Sequence, residues 1–391
     1  MANPSRFRRG SKALSRLLLI VLGLGLLGFI HSSEYLSTMG ASPSGARLER
    51  ILKSPHFRDG VFQNLSETSV MVPGKSVKIL AEFLALGGRR VPDAPLPTTP
   101  ATRATFDAPP ADDLRVTWLG HSTVLVEIEG QRVLFDPMWA ERSSPSRWAG
   151  PKRFQPVPLP IDQVPELAAI AVSHDHYDHL DKAAIQTLAK AQPNVPFFVP
   201  LGVGAHLERW GVEPSRIHEH DWWEEDSAAG GKLKLVCAPS RHFSSRGLFD
   251  RNKTQWASWV LTGAAKRVYF GGDGGLDAAM ADIGRRYGPF DLTMLEIGAF
   301  HENWGLIHLG PKNAMTAHRD LNGRLLMPIH WGTFNLGLHP WDEPIDQFLE
   351  AAKATGTSVV APRIGEPFRP SAAPSSISAA PTRWWTAPTG S

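Results

Sequence analysis

One cysteine, Cys237, stands among 391 residues, so no disulfide closes within the chain and the redox compartment goes unmarked. It sits in a strand-like run and reads as a small buried apolar residue. Charge of one sign is also scarce. A net +3 gives no case for nucleic acid, and no such partner is expected. Long apolar runs are missing too. The run Leu17 to Ile30 has fourteen residues, short of the ~20 a spanning helix needs. Extended back through Ala13 and Leu14, with Arg16 snorkelling, it reaches across a thin membrane. Arg6, Arg8, Arg9, Lys12 and Arg16 precede it, no Ala-x-Ala cleavage pattern follows it, and Ser37 to Ala41 is a poor substitute. We expect residues 1–31 to be an uncleaved membrane anchor, ahead of a cleaved signal peptide. The basic flank would stay cytoplasmic and the folded domain would lie across the membrane, in the periplasm of a bacterium; cleavage would release it there.

What the chain has is histidine and aspartate in one place. Residues 174–179 read His-Asp-His-Tyr-Asp-His, directly after the strand-like run Leu167 to Val172. Imidazole and carboxylate together suit zinc, iron or manganese, and one turn of this kind serves two ions. The plain alternative is a polar surface turn with helix-capping aspartates, a role that fits Asp181. Three further segments repeat the arrangement. Lys232 to Ala238 leads to His242, Arg267 to Phe270 leads to Asp273 among glycines, and Leu325 to Ile329 leads to His330. Ligands at strand ends are fixed by the sheet, as a rigid metal site requires. The glycines beside Asp273 would let the backbone approach a metal.

The ordered set His174-x-His176-x-Asp178-His179, His242, Asp273 and His330 resembles the metallo-β-lactamase superfamily of binuclear metallohydrolases. Within it, residues 112 to 365 are similar to the N-acylphosphatidylethanolamine-hydrolysing phospholipase D family. The likeness rests on Trp118-Leu-Gly-His-Ser-Thr123, Phe135-Asp-Pro137, Gly150-Pro-Lys-Arg-Phe154, Trp256-x-Ser258-Trp259 and Ile329-His-Trp-Gly-Thr-Phe334. Arg246, Asp250 and Asn252 add to it, and so does the stretch Ser54 to Gly60 with Phe62-Gln-Asn64. The resemblance implies an α/β fold, the αββα sandwich, and a metal-dependent hydrolase acting on a phosphodiester. A lactonase or other ester or amide hydrolase using the same metals is the alternative, and a non-catalytic metal-binding envelope protein is the second.

By that resemblance His174, His176 and His242 hold one divalent ion, Asp178, His179 and His330 hold the other, and Asp273 bridges them. Zinc is the first expectation, with manganese or iron also suited. Asp178 would be catalytic through its metal. His121 and Asp136 are expected to support the ligands from behind or to serve as hydrogen-bonded turn residues. His308, before a proline, is expected to donate to the leaving group or phosphate; its alternative is a residue that merely leads into a helix. His218, His220, His301 and His318 are left as surface or loop histidines. Gly-Asp-Gly-Gly replaces the family's Gly-Asp-Thr-Gly at Asp273, and Phe243 stands where the family has Trp. The implied partners are a phospholipid or other amphiphile, the membrane and a second copy of the chain in a homodimer.

The organisation expected is a basic flank and anchor at 1–31, a connecting segment at 32–111, the hydrolase domain at 112–366 and a disordered tail rich in Pro, Ala and Ser at 367–391. Strands Leu114–Leu119, Thr123–Ile128 and Gln131–Phe135 open the domain as a meander turned at Glu129-Gly130. Helices are expected at 181–190, 203–210, 276–286, 311–320 and 343–354. In the connecting segment, Gly45 to Leu52 and Lys75 to Leu86 have helical patterns. Trp222-Trp223, Phe243, Trp304, Trp331 and Trp341 fall near the proposed site loops, as core or as walls of a groove.

Overall fold

A computed structural model of the chain describes residues 33–70, 74, 82, 89–301, 303–372 and 383–386. The expected anchor at 1–31 and most of the helical pattern Lys75 to Leu86 lie outside the described residues. Among those described, no helix is long and apolar enough to cross a membrane.

In chain order the strands are β1 (Phe57–Arg58), β2 (Val61–Phe62), β3 (Leu114–Gly120), β4 (Thr123–Ile128), β5 (Gln131–Phe135), β6 (Ala169–Ala171), β7 (Phe197–Pro200) and β8 (Ile217–His220). They continue with β9 (Glu225–Ala228), β10 (Leu233–Ala238), β11 (Ser258–Thr262), β12 (Arg267–Phe270), β13 (Leu292–Glu296), β14 (Leu326–Ile329) and β15 (Pro367–Phe368). Helices bounded within the described residues include α1 (Gly45–Lys53), α2 (Lys182–Ala191), α3 (Gly204–Arg209), α4 (Ala279–Tyr287), α5 (Gly310–Asp320) and α6 (Glu343–Thr355). The five helices expected after residue 180 appear within a few residues of their expected bounds. The meander is in register, Glu129 and Gly130 both taking positive φ at its turn.

Two mixed sheets result. One has seven strands in the order β15-β3-β4-β5-β6-β7-β8, the other six in the order β14-β13-β12-β11-β10-β9. Every residue of β4 is buried, because both faces of its sheet are covered. Val124, Val126 and Ile128 face the second sheet, whereas Leu125 joins Ile185 and Leu188 of α2. Phe135 stacks on Phe270 across the sandwich at 4.6 Å. α4, α5 and α6 bury Ile283, Ala314, Met315 and Phe348 on the outside of the second sheet. The layers are helix, sheet, sheet, helix.

Two boundaries differ from expectation. Described parts of the connecting segment pack on the domain: Asn64 holds both backbone groups of His242 at 2.8 and 3.0 Å, and Thr98 bridges Ile364. The expected disordered tail contributes β15, which pairs with β3, and two buried tryptophans. Trp384 packs 5.7 Å from Trp331, its indole N–H donating to the Ala361 carbonyl, and Trp385 meets Trp331 edge-on. An apolar aromatic pair carries enough burial to hold an otherwise polar segment on the core.

Candidate metal centre

The loop at 174–181 leaves the C-terminal end of β6 and is pinned from beneath. Buried Arg246 donates to the carbonyls of Asp175, Leu180 and Thr38 and lies 4.0 Å over the Tyr177 ring. Asp181 caps α2 through the Ala183 N–H and accepts from Trp139 and Ala140 as well. It is a structural aspartate. Asp175 accepts from Ser245 and Thr254, which leaves the remaining side chains of the loop free to converge.

They converge as two clusters. His174, His176, His242 and Asp273 form one; His121, Asp178, His179 and His330 form the other. His174 Nε2 and His176 Nδ1 are 2.8 Å apart, and His242 Nε2 lies 3.3 Å from the same Nδ1. Asp273 reaches into both groups, 3.7 Å from His242 on one side and 3.2 Å from each of His179 and His330 on the other. Asp178 lies 3.3 Å from His330 and 3.5 Å from His179.

These residues fit a pair of divalent cations. His179 Nε2, His330 Nε2 and Asp273 Oδ1 are buried and, despite their proximity, have no hydrogen-bond partner. Ligand-type atoms that are buried, close together and without hydrogen-bond partners are suited to hold a cation. Left without a cation, each would cost about 1–3 kcal/mol. Burial resists charging His179, yet the Asp273 and Asp178 carboxylates outweigh it and raise that imidazole well above its ordinary value. His330 is pushed up to about 10 by the same pair, also against burial. A divalent ion would displace those protons, so binding is proton-linked. Burial holds His174 and His242 well below the usual range, neutral and able to ligate.

Behind the ligands, Asp136 accepts from the His179 ring at 2.7 Å and from the Ser173 N–H and hydroxyl at 2.7 and 2.6 Å. His121 meets Asp178 Oδ2 at 2.9 Å, while its carbonyl accepts from Trp118 and from the His330 N–H. His121, Asp136 and His330 all take positive φ, conformations that cost non-glycine residues of order 1–3 kcal/mol each. The glycines near Asp273 do something other than expected. A Cβ on Gly274 would strike Ser240 Oγ at 2.0 Å, and one on Gly275 the Leu306 carbonyl at 1.8 Å, so they admit neighbouring chain segments.

His308 hydrogen-bonds Glu296 Oε2 through Nδ1 at 2.6 Å, its ring 5.1 Å from His242 and 5.6 Å from His330. Glu296, buried, also accepts from the Gly274 and Leu309 N–H groups. It was missed in the sequence, although it ends β13 by the same strand-then-ligand rule. Burial opposes charge on His308, but Glu296 raises the imidazole above its ordinary value. His318 and His220 are buried, contrary to expectation. Cys237 is buried as expected, and burial drives its thiol well above the usual range.

A cleft of about 330 Å³ opens on these residues. It is lined by His176, Asp178, His242, Asp273, His308 and His330 together with the apolar side chains of Val70, Phe243, Ala299, Trp304, Ile307 and Leu336. Of the six aromatics expected near the site, Phe243 and Trp304 line this cleft. Trp222 packs on His56 and Trp256, and Trp331 joins the core.

Residues 131–331 match the model of the Beta-lactamase superfamily domain. The chain belongs to the metallo-β-lactamase superfamily. An uncharacterized protein of Mycobacterium tuberculosis is 42% identical over 356 residues, covering 90% of this chain and 93% of that one. The N-acyl-phosphatidylethanolamine-hydrolyzing phospholipase D 1 of Caenorhabditis elegans is 36% identical over 291 residues, covering 71% and 81%. Among solved structures, an isothiocyanate hydrolase from Delia radicum gut bacteria superposes with a TM-score of 0.52 at 21% identity, covering 65% of this chain and 98% of that one. At that identity the likeness concerns the fold. The superfamily makes this protein a metal-dependent hydrolase.

Proposed function

We propose that this hydrolase cleaves N-acylphosphatidylethanolamine, or a closely related phospholipid, in the manner of a phospholipase D. The observation that carries the reading is the cleft's mixed lining, in which the His/Asp cluster shares one opening with apolar side chains such as Phe243, Trp304, Ile307 and Leu336. An amphiphile with a phosphodiester head and acyl chains matches that lining. The similarity to the nematode phospholipase supports the same substrate class.

Two divalent ions held by the clusters would supply Lewis acidity and lower the pKa of a water towards neutrality. The ligands carry two formal negative charges, Asp178 and Asp273, so the loaded site is net positive and attracts an anionic phosphate. Phe243, Trp304 and Ile307 exclude water on the acyl side. His308, oriented by Glu296, stands where it can give a proton to the departing ethanolamine oxygen as the P–O bond breaks. Water supplies the oxygen that remains on phosphatidic acid, and the N-acylethanolamine leaves. We further propose that the N-terminal basic and apolar segment anchors the enzyme to the membrane, with the fold on the periplasmic side.

The test is hydrolysis of N-acylphosphatidylethanolamine in mixed micelles by the zinc-loaded full chain, with Asp178→Asn as control. Release of phosphatidic acid by the wild type alone is expected. No release from a folded, metal-filled enzyme would sink the substrate and redirect the search to lactones and smaller esters.

A further inference from the structure

A second set of metal-ligating side chains lies away from the catalytic cleft, at the open edge of the sandwich. β8 is the last strand of the seven-stranded sheet and β9 the last of the six-stranded sheet. His218 and His220, two apart on β8, project on the same face. That face looks into the space between the sheets, where both rings stack on Phe198 at 5.0 and 5.9 Å. Asp226 comes across from β9. Its Oδ2 lies 2.8 Å from His218 Nδ1 and 3.8 Å from His220 Nε2, and one ligand atom from each of the three falls within 4.8 Å of the others.

The His220 side chain is only 9% exposed, and its Nε2 is buried with no hydrogen-bond partner. Neither neutral tautomer cures this. A proton on Nε2 is too far from Asp226 to bond, and a proton on Nδ1 leaves a bare lone pair facing a carboxylate. A shared cation would satisfy both. Protonating the ring is resisted, because burial outweighs the attraction of Asp226 and holds His220 down to about 4. Glu224 also raises the affinity of His220 for protons, and Arg50 of α1, which pairs with Glu224 at 2.5 Å, lowers it. Asp226 supplies the carboxylate nearest the two imidazoles for an incoming ion.

We propose that His218, His220 and Asp226 form a separate binding site for a divalent transition-metal ion, zinc by preference, that ties the edge strands of the two sheets together. Two imidazoles and one carboxylate suit zinc and its neighbours, not magnesium or calcium. His218 and Asp226 are 34% and 38% exposed, so water completes the coordination from the solvent side and the ion enters without opening the fold. The site is structural in effect: it braces the short link 221–224 by which the chain crosses from the edge of one sheet to the edge of the other.

The experiment compares the untagged full chain with Asp226→Asn and, separately, His218→Gln, each dialysed against micromolar free zinc and analysed for metal per chain. Both substitutions fall on partly exposed positions outside the catalytic cleft. The expected result is one zinc fewer per chain in each variant, phospholipid turnover unchanged, and a zinc-dependent rise in melting temperature that is smaller than in the wild type. Equal zinc content in wild type and variants would overturn the site. Loss of all metal together with turnover in both variants would also overturn it, since the effect would then belong to the fold.

Discussion

Asp136→Asn isolates the support behind one candidate metal ligand, His179, without touching that residue. In the structure one carboxylate oxygen accepts from the Ser173 N–H, and the other accepts from both Ser173 Oγ and His179 Nδ1. An asparagine has a single oxygen. If that oxygen keeps the Ser173 N–H, the amide NH2 faces His179 Nδ1, and the imidazole must turn its lone pair to it. The ring proton then moves to Nε2, the atom that points at Asp273 and Asp178. A neutral imidazole protonated at Nε2 cannot ligate through Nε2. Metal binding must therefore break the new hydrogen bond or force an unfavourable tautomer. Losing a partner of this kind typically weakens metal binding 10- to 100-fold, about 1.4–2.7 kcal/mol. The assay is a zinc titration against a chromophoric chelator, with circular dichroism to confirm the fold. Zinc affinity equal to wild type in a folded Asp136→Asn protein would refute the reasoning, because it would mean that the ring orientation is set elsewhere.

On the proposed phospholipid substrate, Glu296→Gln should lower kcat by about 100-fold with metal content unchanged, since proton transfer by a positioned group contributes 10²–10⁴-fold; unchanged kcat would remove His308 from the proposed proton pathway. His318, which hydrogen-bonds Thr293 Oγ1 at 2.7 Å, is held by burial down to about 4. The unfolded chain binds its proton near pH 6.5, so this group's contribution is whole above that value and is lost as pH falls towards 4, roughly 3 kcal/mol at most. Denaturant midpoints from pH 7 to 4 should fall less steeply in His318→Gln than in wild type. Trp384→Ala should cost about 3 kcal/mol by removing a buried indole from the Trp331 group, read as a drop in denaturation midpoint. A cost near zero would show that the tail does not dock on the core in solution.

What the sequence made legible follows from how each residue reaches the site. His174, His242, Asp273 and His330 each sit within a few residues of a strand's end, and Asp178 and His179 lie in the loop that His174 opens, so periodicity and residue type together expose them. Glu296 obeys the same rule at the end of β13, yet Leu292 to Glu296 reads as an ordinary apolar run and a lone glutamate attracts no notice. Its meaning depends on His308 and Gly274, which only the tertiary fold brings to it. His218 and His220 are two apart on one strand and Asp226 follows six residues after His220, so the three are close in the sequence, but nothing local says that the short link 221–224 crosses from one sheet to the other. Asn64 and Trp384 differ. Both lie in segments whose composition argues for connection or disorder, although Asn64 falls in a stretch that carries the family resemblance, and each is held by a few long-range contacts: Asn64 by the His242 backbone and Trp256, Trp384 by Trp331 and the Ala361 carbonyl. Composition reports the average of a segment, whereas docking is decided by one or two residues that find a partner far along the chain. The two buried tryptophans were therefore the signal to weigh against the prolines and serines around them: a disordered tail has no reason to spend Trp384-Trp385 on solvent.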